Sequence, residues 1–259
     1  MFKGSAPWDW SPDGLADDMK SHARGLISFI PAWNAGEGAG VDDSLTPVIY
    51  FDPITRQSGN LVSATGNNTV NGVVSKNLGL ALDMQGTGVA RGIDSGSDVL
   101  ANLSEMTVIS YVNTTTTTTS QSIWGNYVSG GFLWRTDSTG RMRVILTTGG
   151  VNRNVYSSNN VISINTDVCA AVRYDGANLT HFYNGVKDLE VAATGTISTG
   201  GWGNQHLGDQ GTSLQPWDGH IYGVLVWNRA LDDAEMRFVN DNFFRFWEPA
   251  EPRAPLFGD

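Results

Sequence analysis

The chain has 259 residues, 26 acidic against 16 basic, for a formal net charge of −10. That balance argues against nucleic acid as a partner, because phosphate binding needs a Lys/Arg surface. No stretch approaches the ~18 consecutive apolar residues that would cross a bilayer. A charged fraction of 16% with 31 glycines suits short strands and tight turns rather than long surface helices. The single cysteine, Cys169 in "VCAAV", excludes an internal disulfide and is read as a small core residue.

Residues 1–24 carry Pro, Trp and Asp with no period and are expected to form an irregular N-terminal arm. They show no basic start followed by an apolar run, so no secretory signal is expected and folding is assigned to a cytoplasm. Trp8 and Trp10 of this arm either pack on the domain or face a partner. "GLISFIPAW" (25–33) and "PVIYFDP" (47–53) read as the first strands. Between them "NAGEGAGVDDS" resembles a phosphate loop only in its glycines, since no Lys-Ser/Thr follows.

Further strands are expected at 78–85, 106–113, 121–128, 130–137, 141–148, 167–175, 179–186, 187–193 and 219–228. Spacing this short, punctuated by Gly, Asn, Asp and Ser, predicts an antiparallel sandwich or barrel. The clearest hairpin signals are Asp175-Gly176 and Asn184-Gly185, whose residues tolerate the positive φ that tight turns need. Alternation between those turns puts Leu179, His181 and Tyr183 on one face and Thr180, Phe182 and Asn184 on the other. The run Thr114–Thr119 reads as a loop or a strand edge.

One helix is predicted over 231–247. Asp232 with Glu235 forms a capping-box pattern, and Met236, Val239, Phe243 and Phe246 recur at helical spacing. In the tail 248–259, Pro249, Pro252 and Pro255 fall three apart, which aligns them on one face of a polyproline II helix; with Arg253 they are candidate docking residues, and a disordered tail reads equally well. The sandwich itself is expected to occupy 25–230.

Catalytic signatures are missing: there is no His-Glu-x-x-His and no Gly-x-Ser-x-Gly. Candidate sugar contacts are the tryptophans near strand ends and loops, Trp124, Trp134, Trp202 and Trp217, with Asn126, Arg135 and Asn204 beside them. Aromatic faces stack on sugar rings and amides bond hydroxyls, although large aromatics also fill sandwich cores.

Taken in order, several stretches resemble one family. "YDGANLTHFYNGV", "GTISTG" and "WDGHIYGVLVWNRALDDAEM", preceded by "GLISFIPAWNAGEGAGVDDS", "LGLALDMQGTG" and "MTVISYVNTTTTTTSQSIWGN", are similar to laminin-G/pentraxin-type concanavalin A-like domains over roughly residues 25 to 240. The resemblance implies an all-β, antiparallel jelly-roll sandwich with one C-terminal helix and extended terminal arms. It also implies that the first loop and last strand can share calcium, with Asp42, Asp43 and Asp218 as candidate ligands; no cofactor is required, and good turn chemistry explains the same aspartates.

The glucanase branch of this architecture carries Glu-x-Asp-x-x-Glu on one strand, and none of Glu37, Glu105, Glu190, Glu235, Glu248 or Glu251 stands in that pattern. The expectation is therefore a non-enzymatic structural and binding protein. Its stand-alone form resembles copies encoded by tailed bacteriophages, which implies a virion location as capsid decoration, tail or fibre protein. Other virion proteins, surface glycans and further copies of the chain are the expected partners. A free carbohydrate-binding module and a glycoside hydrolase or lyase are the alternatives.

Overall fold

The computed structural model describes residues 17–31, 49–52, 57–63, 73–76, 79–84, 91–94, 98–126, 131–198, 205–210 and 215–246. Helix α1 (Asp17–Ala23) precedes β1 (Leu26–Pro31), β2 (Ile49–Asp52), β3 (Gln57–Ser63), β4 (Val73–Lys76), β5 (Gly79–Asp83) and β6 (Arg91–Asp94). Then come β7 (Met106–Thr114), β8 (Gln121–Gly125), β9 (Phe132–Thr136), β10 (Arg141–Thr148) and β11 (Val151–Val161). The chain continues through β12 (Val168–Tyr174), β13 (Asn178–Tyr183), β14 (Val186–Ala192), β15 (His206–Leu207) and β16 (Gly219–Trp227), and ends in α2 (Asp233–Asn242) with a 3-10 turn (Phe243–Phe246).

The strands form two antiparallel sheets. The first runs β14-β13-β12-β7-β16-β5-β4 with β1 added alongside β16, and the second runs β11-β10-β9-β8-β15-β6-β3-β2. This is the expected jelly-roll sandwich. The β12–β13 and β13–β14 hairpins fall where the turn dipeptides put them: Tyr183 pairs with Val186 across Asn184-Gly185, both at positive φ (49° and 73°). At the other turn, Asp175 Oδ1 accepts from the Ala177 and Asn178 amides, at 2.9 and 2.6 Å.

Period-2 alternation sorts the side chains. Met106, Val108 and Val112 of β7 and Val168, Ala170 and Val172 of β12 meet Phe132, Trp134, Met142, Val144 and Leu146 of the second sheet in the central core. Leu179 joins that core, while Phe182 faces the opposite way, as the alternation predicts. Register shifts break the period in places, and two of them add residues to the core. Between Ser122 and Trp124 a shift lets both Ile123 and Trp124 point inward. Between Ile221 and Gly223 another lets Ile221 and Val224 do the same.

The outer face of the first sheet is also apolar, with Ile109, Cys169, Ala171, Phe182, Leu225 and Trp227. Helices cover it. Met236, Val239, Phe243 and Phe246 dock as the helical stripe predicts, and Asp232 forms the expected capping box with Glu235. Arg173 of β12 ties this layer down: its Nη1 donates to the Leu231 carbonyl at 2.9 Å and pairs with Asp233 at 2.8 Å.

The N-terminal expectation needs correction. Residues 17–23 form helix α1 instead of an irregular arm, and Met19 and Ala23 are buried in the outer cluster. Trp227 Nε1 donates to the His22 carbonyl at 2.8 Å, fixing α1 to β16. Tertiary burial stabilises a helix of 7 residues that propensity alone would not. Trp8, Trp10, Pro249, Pro252, Arg253 and Pro255 lie outside the described residues.

Candidate functional site on the outer face of the second sheet

The two sheets differ on their outer sides. Helices α1 and α2 bury the first. On the second, strands β9, β10 and β11 turn outward the residues that alternate with the core. In β10 these are Arg141, Arg143, Ile145 and Thr147, and register places Arg135 opposite Arg143 and Leu133 opposite Ile145. On the other side of β10, Tyr156 stands opposite Arg143, Asn154 opposite Ile145 and Asn152 opposite Thr147. The β10–β11 hairpin is closed by Gly149-Gly150, both at positive φ, the backbone a two-residue turn requires.

The middle of this face is covered: Leu133, Ile145 and Arg135 are buried. Its β10–β11 margin is accessible, with Asn152 and Asn154 exposed and Arg143 and Tyr156 half-buried. There the Arg141 and Arg143 guanidinium carbons each lie 5.0 Å from the Tyr156 ring centroid. Arg143 Nε donates to Asn154 Oδ1 at 2.7 Å. Arg141 is held by Asp137, through Nε at 3.0 Å and Nη2 at 2.9 Å. Burial raises the Asp137 carboxyl, but hydrogen bonds from Thr139 and Arg141 outweigh it and hold the group below the usual carboxylate range. Arg135 Nη1 donates to Gln215 Oε1, from the segment before β16.

A second polar group lies further along the same sheet. His206 Nδ1 stands 3.2 Å from Asp209 Oδ1, with both residues buried. Gln205, buried, bridges the Val99 amide and Asp98 Oδ1, at 2.8 and 2.6 Å. These contacts knit the loops around β15 to the body of the sandwich.

The tryptophan expectation is overturned where it can be read. Trp124 and Trp134 are fully buried and Trp217 is 1% exposed, so none has a face open to a sugar. The reason is positional. Trp124 and Trp134 are register partners on the inner side of β8 and β9, and Trp217 enters the core with Nε1 bonded to the Asn113 carbonyl at 3.0 Å. Asn126 is buried as well, at 5% exposure. Trp202 and Asn204 lie outside the described residues, as do Asp42 and Asp43. Asp218 is half-buried, and its backbone is engaged: its carbonyl accepts from Thr115 N at 2.9 Å and its amide donates to Gln121 Oε1 at 2.8 Å. Among the described residues no three His, Cys, Asp or Glu side chains come together as a metal site would require.

Sequence reasoning missed Arg143, Tyr156 and Asn154. The signal was present: in "RMRVILTT" Arg141 and Arg143 alternate with apolar Met142 and Val144, and in "VNRNVY" Asn152, Asn154 and Tyr156 share one parity. β11 is polar enough to read as loop.

No curated protein matches the chain at the level of sequence. Among solved structures it is similar to domain 4 of AbnA, a GH43 extracellular arabinanase from Geobacillus stearothermophilus in complex with arabinotriose. The TM-score is 0.62 at 15% identity, over 83% of this chain and 98% of that one. It is also similar to the binding domain of Paraclostridial Mosquitocidal Protein 1, with TM-score 0.61 and 13% identity over 86% of this chain and 53% of that one. Trypanosoma rangeli sialidase in complex with sialic acid gives TM-score 0.56 at 14% identity, covering 86% of this chain and 34% of the sialidase. The chain thus spans about half of the mosquitocidal domain and a third of the sialidase, and at these identities the likeness is one of fold. A family model of the Laminin G 3 type, described as the concanavalin A-like lectin/glucanases superfamily, matches residues 86–237. That match spans more than half of the chain, and the protein belongs to the concanavalin A-like lectin/glucanase superfamily.

Proposed function

We propose that the protein is a non-catalytic glycan-binding domain that meets sugars with the outer face of its second sheet, at Arg143, Tyr156 and Asn154. The observation that carries this is the asymmetry of the sandwich. One outer face is apolar and sealed by helices, while the other presents an aromatic ring, guanidinium groups and exposed amides. Amides and guanidinium groups bond hydroxyls, and the Tyr156 ring holds the two guanidinium groups beside them. A fold neighbour solved with arabinotriose and another named as a binding domain support the reading. The non-catalytic half rests on the glutamates, none of which stands in a Glu-x-Asp-x-x-Glu pattern.

A glycan array with the full chain tests the proposal. Binding is expected to fall at least tenfold in Arg143→Ala and Tyr156→Ala. No bound glycan, or binding lost in Trp202→Ala but unchanged in both others, would overturn the site. Any glycan that binds is then incubated with the protein, and release of shorter products would refute the non-catalytic reading. We place the domain on a bacteriophage virion, as capsid decoration, tail or fibre protein, on the resemblance of its sequence to domains encoded by tailed bacteriophages. Mass spectrometry of purified particles tests this, and absence of the chain from them would end it.

A further inference from the structure

Building on the glycan-binding reading, we infer that the bound sugar is acidic: a residue bearing a carboxylate, such as a uronic or sialic acid, seated on Arg143. Arg143 and Arg135 are direct cross-strand partners on one face. Like charges in that relation destabilise a sheet. Arg141 adds a third guanidinium, sharing the Tyr156 ring with Arg143. The chain as a whole is short of positive charge, with 16 basic residues against 26 acidic. Three cations gathered on one patch therefore run against its composition.

The cations are unevenly compensated. Arg141 has its carboxylate, Asp137. Arg135 Nη1 is held by Gln215 Oε1 among its contacts. Arg143 uses only Nε, and its acceptor, Asn154 Oδ1, is neutral. No carboxylate pairs with Arg143 among the described residues, so its two terminal nitrogens are open to an incoming acceptor. The Tyr156 ring, 5.0 Å from Cζ, and the Nε bond to Asn154 restrain the guanidinium before anything binds, which lowers the entropy lost on binding. A planar fork of two N–H groups matches the two oxygens of a carboxylate. The exposed amide of Asn154, bonded to Arg143 Nε, lies beside it for a hydroxyl of the same sugar.

The experiment measures binding of the full chain, by calorimetry at low ionic strength, to two matched pairs. One is oligogalacturonate against its carboxyl-reduced neutral form; the other is sialyllactose against lactose. A sulfated oligosaccharide of the same length is the third arm. At least one acid is expected to bind tenfold or more tighter than its neutral partner. The preference should vanish in Arg143→Gln and survive in part in Arg143→Lys, with thermal melts confirming that both variants fold. Equal affinity for acid and neutral forms overturns this inference and leaves the glycan-binding reading standing. Preference for the sulfated arm overturns the assignment of a carboxylate. Binding to none of these, with a blank glycan array, overturns both.

Discussion

His181 is the side chain whose burial has the most measurable consequence. It lies on the inner side of β13, fully buried, with Nε2 3.3 Å from the Val155 carbonyl of the facing sheet. Its Nδ1 has no partner. Loss of hydration is the dominant effect and lowers the imidazole pKa to about 4, against the smaller upward pull of the Val155 carbonyl and the Asp188 carboxylate. The sign of the linkage follows. Above about pH 6.5 the ring is neutral folded or unfolded, and pH has no effect through it. As pH falls below that value the unfolded chain takes up the proton first, so stability drops until the folded pKa is reached.

From about 6.5 to about 4 the full loss is roughly 3 kcal/mol, of which about 2 kcal/mol has already gone at about pH 5. Urea unfolding of the wild type and of His181→Phe, at about pH 7.5 and about pH 5, isolates the effect. Asp137, Asp175, Glu190 and Glu235, all held below the usual carboxylate range, add acid losses of their own, but equally in both proteins. The wild type should lose about 2 kcal/mol more than the variant over that interval. A difference under about 0.5 kcal/mol, or a ring titrating near the free-histidine value by NMR, would refute the reasoning.

Arg173→Met should destabilise by about 2 kcal/mol, seen as a fall of roughly 4–8 °C in melting temperature, because it strands the Leu231 carbonyl; Asp233→Asn should cost much less, since the Asp233 side chain is half exposed. Gly219→Ala should cost about 3 kcal/mol or more, or abolish soluble expression: its Cβ would stand 2.1 Å from the Asn113 carbonyl oxygen at a φ of +151°. Trp134→Ala should lower stability by about 3–5 kcal/mol in urea, as expected for a large aromatic removed from a packed core. Wild-type melting of Trp134→Ala would return that tryptophan to the surface.

Much of the fold was legible because strands and caps are local. The Asn184-Gly185 turn, the capping box of Asp232 and Glu235, and the alternation of Leu179 against Phe182 each depend on neighbours within a few residues. Helix α1 was not legible, since its few turns hold only through contacts such as Trp227 with His22, some 205 positions away. Nor was β11, whose Asn-rich run pairs because β10 and its Gly-Gly turn hold it in place.

The site shows the same division more sharply. Sequence alternation fixed that Arg141 and Arg143 share a face opposite to Met142 and Val144. It could not say which faces meet another layer, because covering a face is a contact between distant parts of the chain. The tryptophans carry that lesson: Trp124 follows Ile123, and strict alternation would turn one of the two outward. A single register shift between β8 and β9 points both into the core instead. Sequence determined most of the strands, the hairpin turns at Asp175-Gly176 and Asn184-Gly185 and the two-faced pattern. Tertiary structure decided that one outer face lies under helices and left the margin with Arg143 and Tyr156 open, since burial is set by what packs against a residue and not by the residue itself.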